Sequence, residues 1–151
     1  MSNGVTNGKL RKFFTLSATD KQDLLLAAFW LPLMHCRLKR FGLNACLVLL
    51  ETENRGRVRQ EAHTAEDYEQ GCGCERSVAV AARYGLVAGT CLSCSLTVMR
   101  LLARRGIAGQ LRIGVNLESG ALEAHAWVEV AGVPLGRAEQ RFQPFQPLLS
   151  L

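Results

Sequence analysis

Cys91 and His125 are the two side chains in this 151-residue chain whose types and neighbours fit covalent chemistry. Cys91 follows Thr90, a residue suited to capping a helix, so its thiol falls in the first helical turn. The end of a helix carries partial positive charge, which stabilises an anion placed there. His125 lies in a run that alternates Leu122, Ala124, Ala126, Val128 and Val130 with Glu123, His125, Trp127 and Glu129, the pattern of a strand with two unlike faces. A thiol attacks a carbonyl as the thiolate, and an imidazole within reach takes the proton. A third group, an acid or amide, then holds the imidazole in one orientation. Glu139, the first acid after the hairpin that follows His125, is the candidate; Glu123 and Glu129 flank the histidine itself. His35, beside Cys36 in a helical stretch, and His63, in a polar one, are weaker candidates.

The elements that must position this pair are legible in outline. The spacing of Leu92, Leu96, Met99 and Leu102 or Ala103 predicts a helix from Cys91 to Arg105, closed by Gly106. Leu111, Ile113, Val115 and Leu117 predict a first strand, and Leu122 to Val130 a second. Ala131-Gly132 predicts a hairpin turn into a short strand, Val133 to Leu135. The tail, with Pro144 and Pro147, reads as irregular.

Upstream, Ser17 or Thr19 suits the cap of a helix that starts near Asp20, carries Leu24, Leu25, Ala28 and Leu31, and bends at Pro32. Leu43 to Leu50 reads as another helix, set off by Phe41-Gly42. Glu51 to Gly73 is polar and reads as a linker, with part of it helical around Thr64 to Gln70, before a short helix from Ser77 to Tyr84. Helices first and antiparallel strands after them define an α+β chain. The division expected is a helical N-terminal region with its polar linker over 1–75 and a catalytic core over 76–151, together one compact unit.

Composition narrows the classes of function. Hydrophobic residues form 48% of the chain and charged residues 21%, as in folded rather than disordered proteins. The net charge of +5 is scattered and its clusters are not interleaved with aromatic residues, so no nucleic-acid partner is expected. Leu24 to Met34 is apolar but too short to span a bilayer, and no cleavable export signal follows the basic start, so the expected place is the cytoplasm and no membrane is involved. Six cysteines (36, 46, 72, 74, 91 and 94) are then expected as thiols. Cys72-Gly73-Cys74 with Cys91-x-x-Cys94 admits a structural zinc reading, although CxC with CxxC is less regular than paired CxxC motifs. Neither a metal nor a cofactor is the leading expectation.

Four blocks together resemble the lasso peptide leader peptidases, the transglutaminase-like B proteins of lasso peptide biosynthesis. They are Thr90-Cys91-Leu92-x-x-Ser95-Leu96, Leu101-Leu102-Ala103-Arg104-Arg105-Gly106-Ile107, Leu111-Arg112-Ile113-Gly114-Val115 and Ala124-His125-Ala126-Trp127-Val128-Glu129. The resemblance covers about residues 76 to 145. It implies a papain-like, transglutaminase-like core and a cytoplasmic cysteine peptidase that removes the leader from a ribosomally made lasso precursor peptide. It also implies two protein partners, a recognition-element protein that holds the leader and a lasso cyclase that closes the released core. Cys91 matches the family nucleophile and His125 its general base. The family commonly has an acid where this chain has Arg137, which leaves the third role to Glu139 or to the dyad alone, and often has Arg where this chain has Cys94. The competing readings are a non-catalytic scaffold of the same complex, the zinc module, and an acyltransferase that passes the same thioester to an amine.

Overall fold

The computed structural model describes residues 17–55, 64–116, 123–136 and 143–144. Helix α1 (Ala18–Asn54) starts at Ser17, whose hydroxyl accepts from the Asp20 amide at 3.1 Å. The backbone stays helical through Pro32; the break in the segment is at Gly42 (φ 77°, ψ 177°), a conformation that only a residue without Cβ adopts cheaply. The bend expected at Pro32 is absent, and the division expected at the Phe41-Gly42 step is present. Asp23, Ala27, Leu31 and Met34 are buried, whereas Leu25 and Ala28 are exposed. A run as uniformly apolar as Leu24 to Met34 has no periodic face; the buried Asp23, ion-paired with Arg105, lies on the inward side.

Helix α2 (Ala65–Tyr84) joins the helix expected around Thr64 to Gln70 and the one expected from Ser77 to Tyr84 into one continuous element, where Gly71 to Gly73 read as linker. Thr64 and Asp67 form a capping box, each side chain taking the other's backbone amide. Gly71, Cys74, Val78 and Ala81 recur at helical spacing and are buried. Gly71 is there because a Cβ would stand only 3.0 Å from the Leu135 side chain. What looks like a flexible Gly-Cys-Gly stretch is thus a packing surface, and α2 runs through residues 75 and 76 without interruption.

Helix α3 (Cys91–Arg104) is the centre of the molecule, buried on nearly every side from Ser95 to Ala103 and packed against both other helices and the sheet. Its C-terminus is a Schellman motif: Ile107 N–H donates to Leu102 O and Gly106 N–H to Ala103 O, with Gly106 at φ 73°. Strands β1 (Gln110–Asn116), β2 (Glu123–Val130), β3 (Val133–Pro134) and β4 (Gln143–Pro144) form an antiparallel sheet in the order β3-β2-β1-β4. Ala131 and Gly132 both take positive φ, as a two-residue hairpin turn needs. β4 pairs with β1 at Gly114 and Val115, so the tail is not wholly irregular. Two residues carry no readable period, and a proline sits well on an edge.

Ala126, Val128 and Val130 bury the face of β2 that meets α3. The helix covers β2 more than β1, which leaves Ile113 over a third exposed although it shares that face. The result is the α+β architecture expected, a helical layer on a small antiparallel sheet. No helix of the described residues is long and apolar enough to cross a membrane.

Candidate active site at the start of helix α3

Three elements converge on a pocket of about 230 Å³. α3 contributes Cys91, Cys94, Ser95 and Val98; β2 contributes His125 to Val128; α2 contributes Glu75, Val78 and Ala79, and Leu135 closes one side. The two residues singled out from sequence, 34 positions apart, therefore line one cavity.

Cys91 is the first residue of α3 and half-buried. Thr90 accepts from the Ser93 amide at 3.2 Å, and Ser93 Oγ donates back to Thr90 O at 3.0 Å, so the start of the helix is locked by its own side chains. The approach to this turn is tight. A Cβ on Gly89 would lie 2.8 Å from Cys94 Sγ and 2.9 Å from Leu31 Cδ1. Cys94 differs electrostatically from Cys91: burial, then the neighbouring Cys91 and Glu75, push its thiol up to about 11. It stays protonated at neutral pH and shapes the wall without competing as a nucleophile.

His125 lies on the same side of β2 as Trp127, whose ring stacks with it at a centroid distance of 6.3 Å and 18° between planes. Across the ladder it stands opposite Gly114. Glu129 is not available to orient it. Its carboxylate accepts from Arg112 Nε at 2.9 Å and Trp127 Nε1 at 3.1 Å, and four strand residues place it about 13 Å along the chain. Glu139 and Arg137 lie outside the described residues, as does His63. His35 sits on α1 and takes no part in the pocket lining.

The zinc reading does not survive the fold. Cys74 turns to Asp23, with Sγ 3.8 Å from Oδ2, and its thiol is pushed up to about 12 by burial first and by that carboxylate second. Cys94 lines the pocket with Cys91. Among the described residues no three His, Cys, Asp or Glu side chains come together as a metal-binding group.

Three residues of the site escape sequence reasoning. Ser95 is buried and donates to Ala126 O at 3.0 Å; a serine inside an apolar helix stripe was the available signal. Glu75 falls between the polar stretch that ends at Gly73 and the helix expected from Ser77. Trp127 is buried on the face that looks solvent-exposed by alternation.

A thiol at a helix start, a histidine on the following strand and an α+β scaffold define a transglutaminase-like arrangement. Residues 30–150 match the family model of the transglutaminase-like superfamily, and the chain belongs to that superfamily, which includes cysteine-peptidase-like proteins. A search of curated proteins gave no match, and neither did a search of solved structures.

Proposed function

We propose that this protein is a cysteine endopeptidase that removes the leader from a ribosomally made lasso precursor peptide, with Cys91 as nucleophile and His125 as general base and acid. The observation that carries the reading is the shared pocket. A helix-terminal thiol and a strand histidine both line it, within a transglutaminase-like fold. The resemblance of the four sequence blocks supplies the substrate class. Cytoplasmic maturation together with a leader-holding recognition-element protein and a cyclase belongs to the same proposal.

The Cys91 thiolate adds to the carbonyl carbon that joins leader to core, and negative charge moves to its oxygen beside the backbone amides of the first turn of α3. His125 gives its proton to the departing core amine as the C–N bond breaks, leaving leader acyl-thioester on Cys91. Water then adds to the thioester, His125 takes its proton, and the leader leaves as a carboxylic acid with the thiol restored. The liberated core amine is the group a cyclase requires. The orienting role falls to Glu139 or the dyad acts alone in this scheme.

Mass spectrometry of a lasso precursor mixed with the protein and a recognition-element partner tests it. Wild type is expected to yield separated leader and core, and Cys91→Ala intact precursor. Cleavage that persists in Cys91→Ala would exclude the thiol mechanism. Binding of the precursor without cleavage by either form favours a scaffold, and an amine adduct of the leader favours acyl transfer.

A further inference from the structure

Cys91 and Cys94 stand three residues apart in the first turn of α3, and both line the pocket. All six cysteines are free thiols, and this is the pair that shares a helical turn and a cavity. Cys72 and Cys74 are two apart on α2, so they lie on different sides of that helix, and neither lines the pocket. Cys94 reaches back to the segment that leads into Cys91, since its Sγ would stand 2.8 Å from a Cβ on Gly89. Its backbone is held by its amide, which donates to Thr90 O at 2.9 Å. Cα atoms three apart in a helix are about 5 Å from each other, inside the roughly 4.4–6.8 Å that a disulfide spans. Their Cβ atoms, about 5–6 Å apart, must close to about 3.5–4.5 Å. The first residue of a helix can supply that movement, because its own amide takes no part in the intrahelical ladder.

We propose that Cys91 and Cys94 form a reversible disulfide when the protein meets hydrogen peroxide, so that the nucleophile of the pocket is withdrawn until a dithiol returns it. The inference rests on the peptidase reading for what the switch controls; the bond itself does not depend on it. The Cys91 thiolate attacks a peroxide oxygen, the S–O bond forms, the O–O bond breaks and hydroxide departs, leaving a sulfenic acid on Cys91. The Cys94 sulfur then attacks the Cys91 sulfur, the S–O bond breaks, and the Cys94 proton leaves with the hydroxide as water. In sum, two thiols and one peroxide give one disulfide and two waters, the thiols losing two electrons and the peroxide gaining them. The order of these steps follows from the surroundings. Burial first, then Cys91 and Glu75, push the Cys94 thiol up to about 11, so the oxidant is attacked by Cys91 and not by Cys94. Conversion of Cys91 to a neutral sulfenic acid removes the second of these contributions and releases Cys94 to act as the resolving thiol. A bridge that draws the helix start inward is readily reduced, as regulatory disulfides are.

The test treats the purified protein with hydrogen peroxide, caps the remaining thiols with N-ethylmaleimide and weighs the peptide that contains both cysteines by mass spectrometry. Wild type is expected to give that peptide uncapped and lighter by two hydrogens. Dithiothreitol is expected to restore both thiols and, with them, the precursor cleavage of the untreated protein. Cys94→Ala is expected instead to carry sulfinic or sulfonic acid on Cys91 and to recover none of its own untreated cleavage. Sulfinic acid on Cys91 of wild type to the same extent as in Cys94→Ala would overturn the proposal, as would a bridge from either cysteine to another partner. Equal recovery in the two proteins would also overturn it. The mass shift is read without turnover, so a bridge in a protein that never cleaves the precursor upholds the disulfide and counts against the peptidase reading alone. Equal thermal midpoints of the reduced proteins show that the comparison is between folded chains, and the wild-type mass decides the bridge without the variant.

Discussion

Ser95 Oγ donates to the carbonyl oxygen of Ala126 at 3.0 Å, which joins the helix that begins with Cys91 to the residue following His125. Both partners are buried. This hydroxyl ties the helix to the histidine strand beside the packed apolar contacts, and an error of an ångström there is costly for proton transfer. Ser95→Ala leaves a buried carbonyl without its donor and is expected to lower stability by about 1–3 kcal/mol. Under the proposed mechanism it also lowers kcat more than it raises KM. Urea denaturation and precursor-cleavage kinetics check the two effects, and Ser95→Thr should restore part of each.

Asp23 is buried and pairs with Arg105, which also donates to Gln70 at 3.2 Å. The cluster pins the start of α1 to the end of α3. Removing one partner strands a charge inside the protein, so Asp23→Ala should cost roughly 3–5 kcal/mol. The double variant Asp23→Leu with Arg105→Met should be closer to wild type than either single change. Chemical denaturation of the three variants measures this, and additive losses would contradict it.

Gly89 approaches Cys94 and Leu31 so closely that no side chain fits without displacement. Gly89→Ala is expected to destabilise by about 1–3 kcal/mol and to shift the turn that carries Cys91. Shortening the obstructing side chain with Cys94→Ala should recover part of the loss. A melting series of the two single variants and the double variant tests the coupling.

The Cys74 thiol, pushed from an ordinary value of 9.0 to about 12, predicts an alkaline limit on stability. Between those values the unfolded chain has released a proton that the folded chain still holds. Stability therefore falls as pH rises through this window and is unaffected by Cys74 below it. Denaturation midpoints are expected to decline more steeply above pH 9 in wild type than in Cys74→Ala. Parallel slopes would remove Cys74 as the cause.

Local patterning alone was enough to locate α3, β1, β2 and the hairpin, because their apolar periods of three to four and of two are strong and their ends carry Thr90, Gly106 and Ala131-Gly132. It also singled out Cys91 and His125, whose residue types and positions in those elements are local properties. Tertiary structure decided the rest. Gly71-Cys72-Gly73 lies within a helix whose Gly71 packs closely against Leu135, more than sixty residues away, a contact that no local pattern announces. The inward side of α1 holds Asp23, whose ion-pair partner Arg105 is equally remote in the chain. Glu75 and Trp127 became parts of the pocket only when α2, α3 and β2 packed together, since a cavity is a property of several elements and is written in none of them.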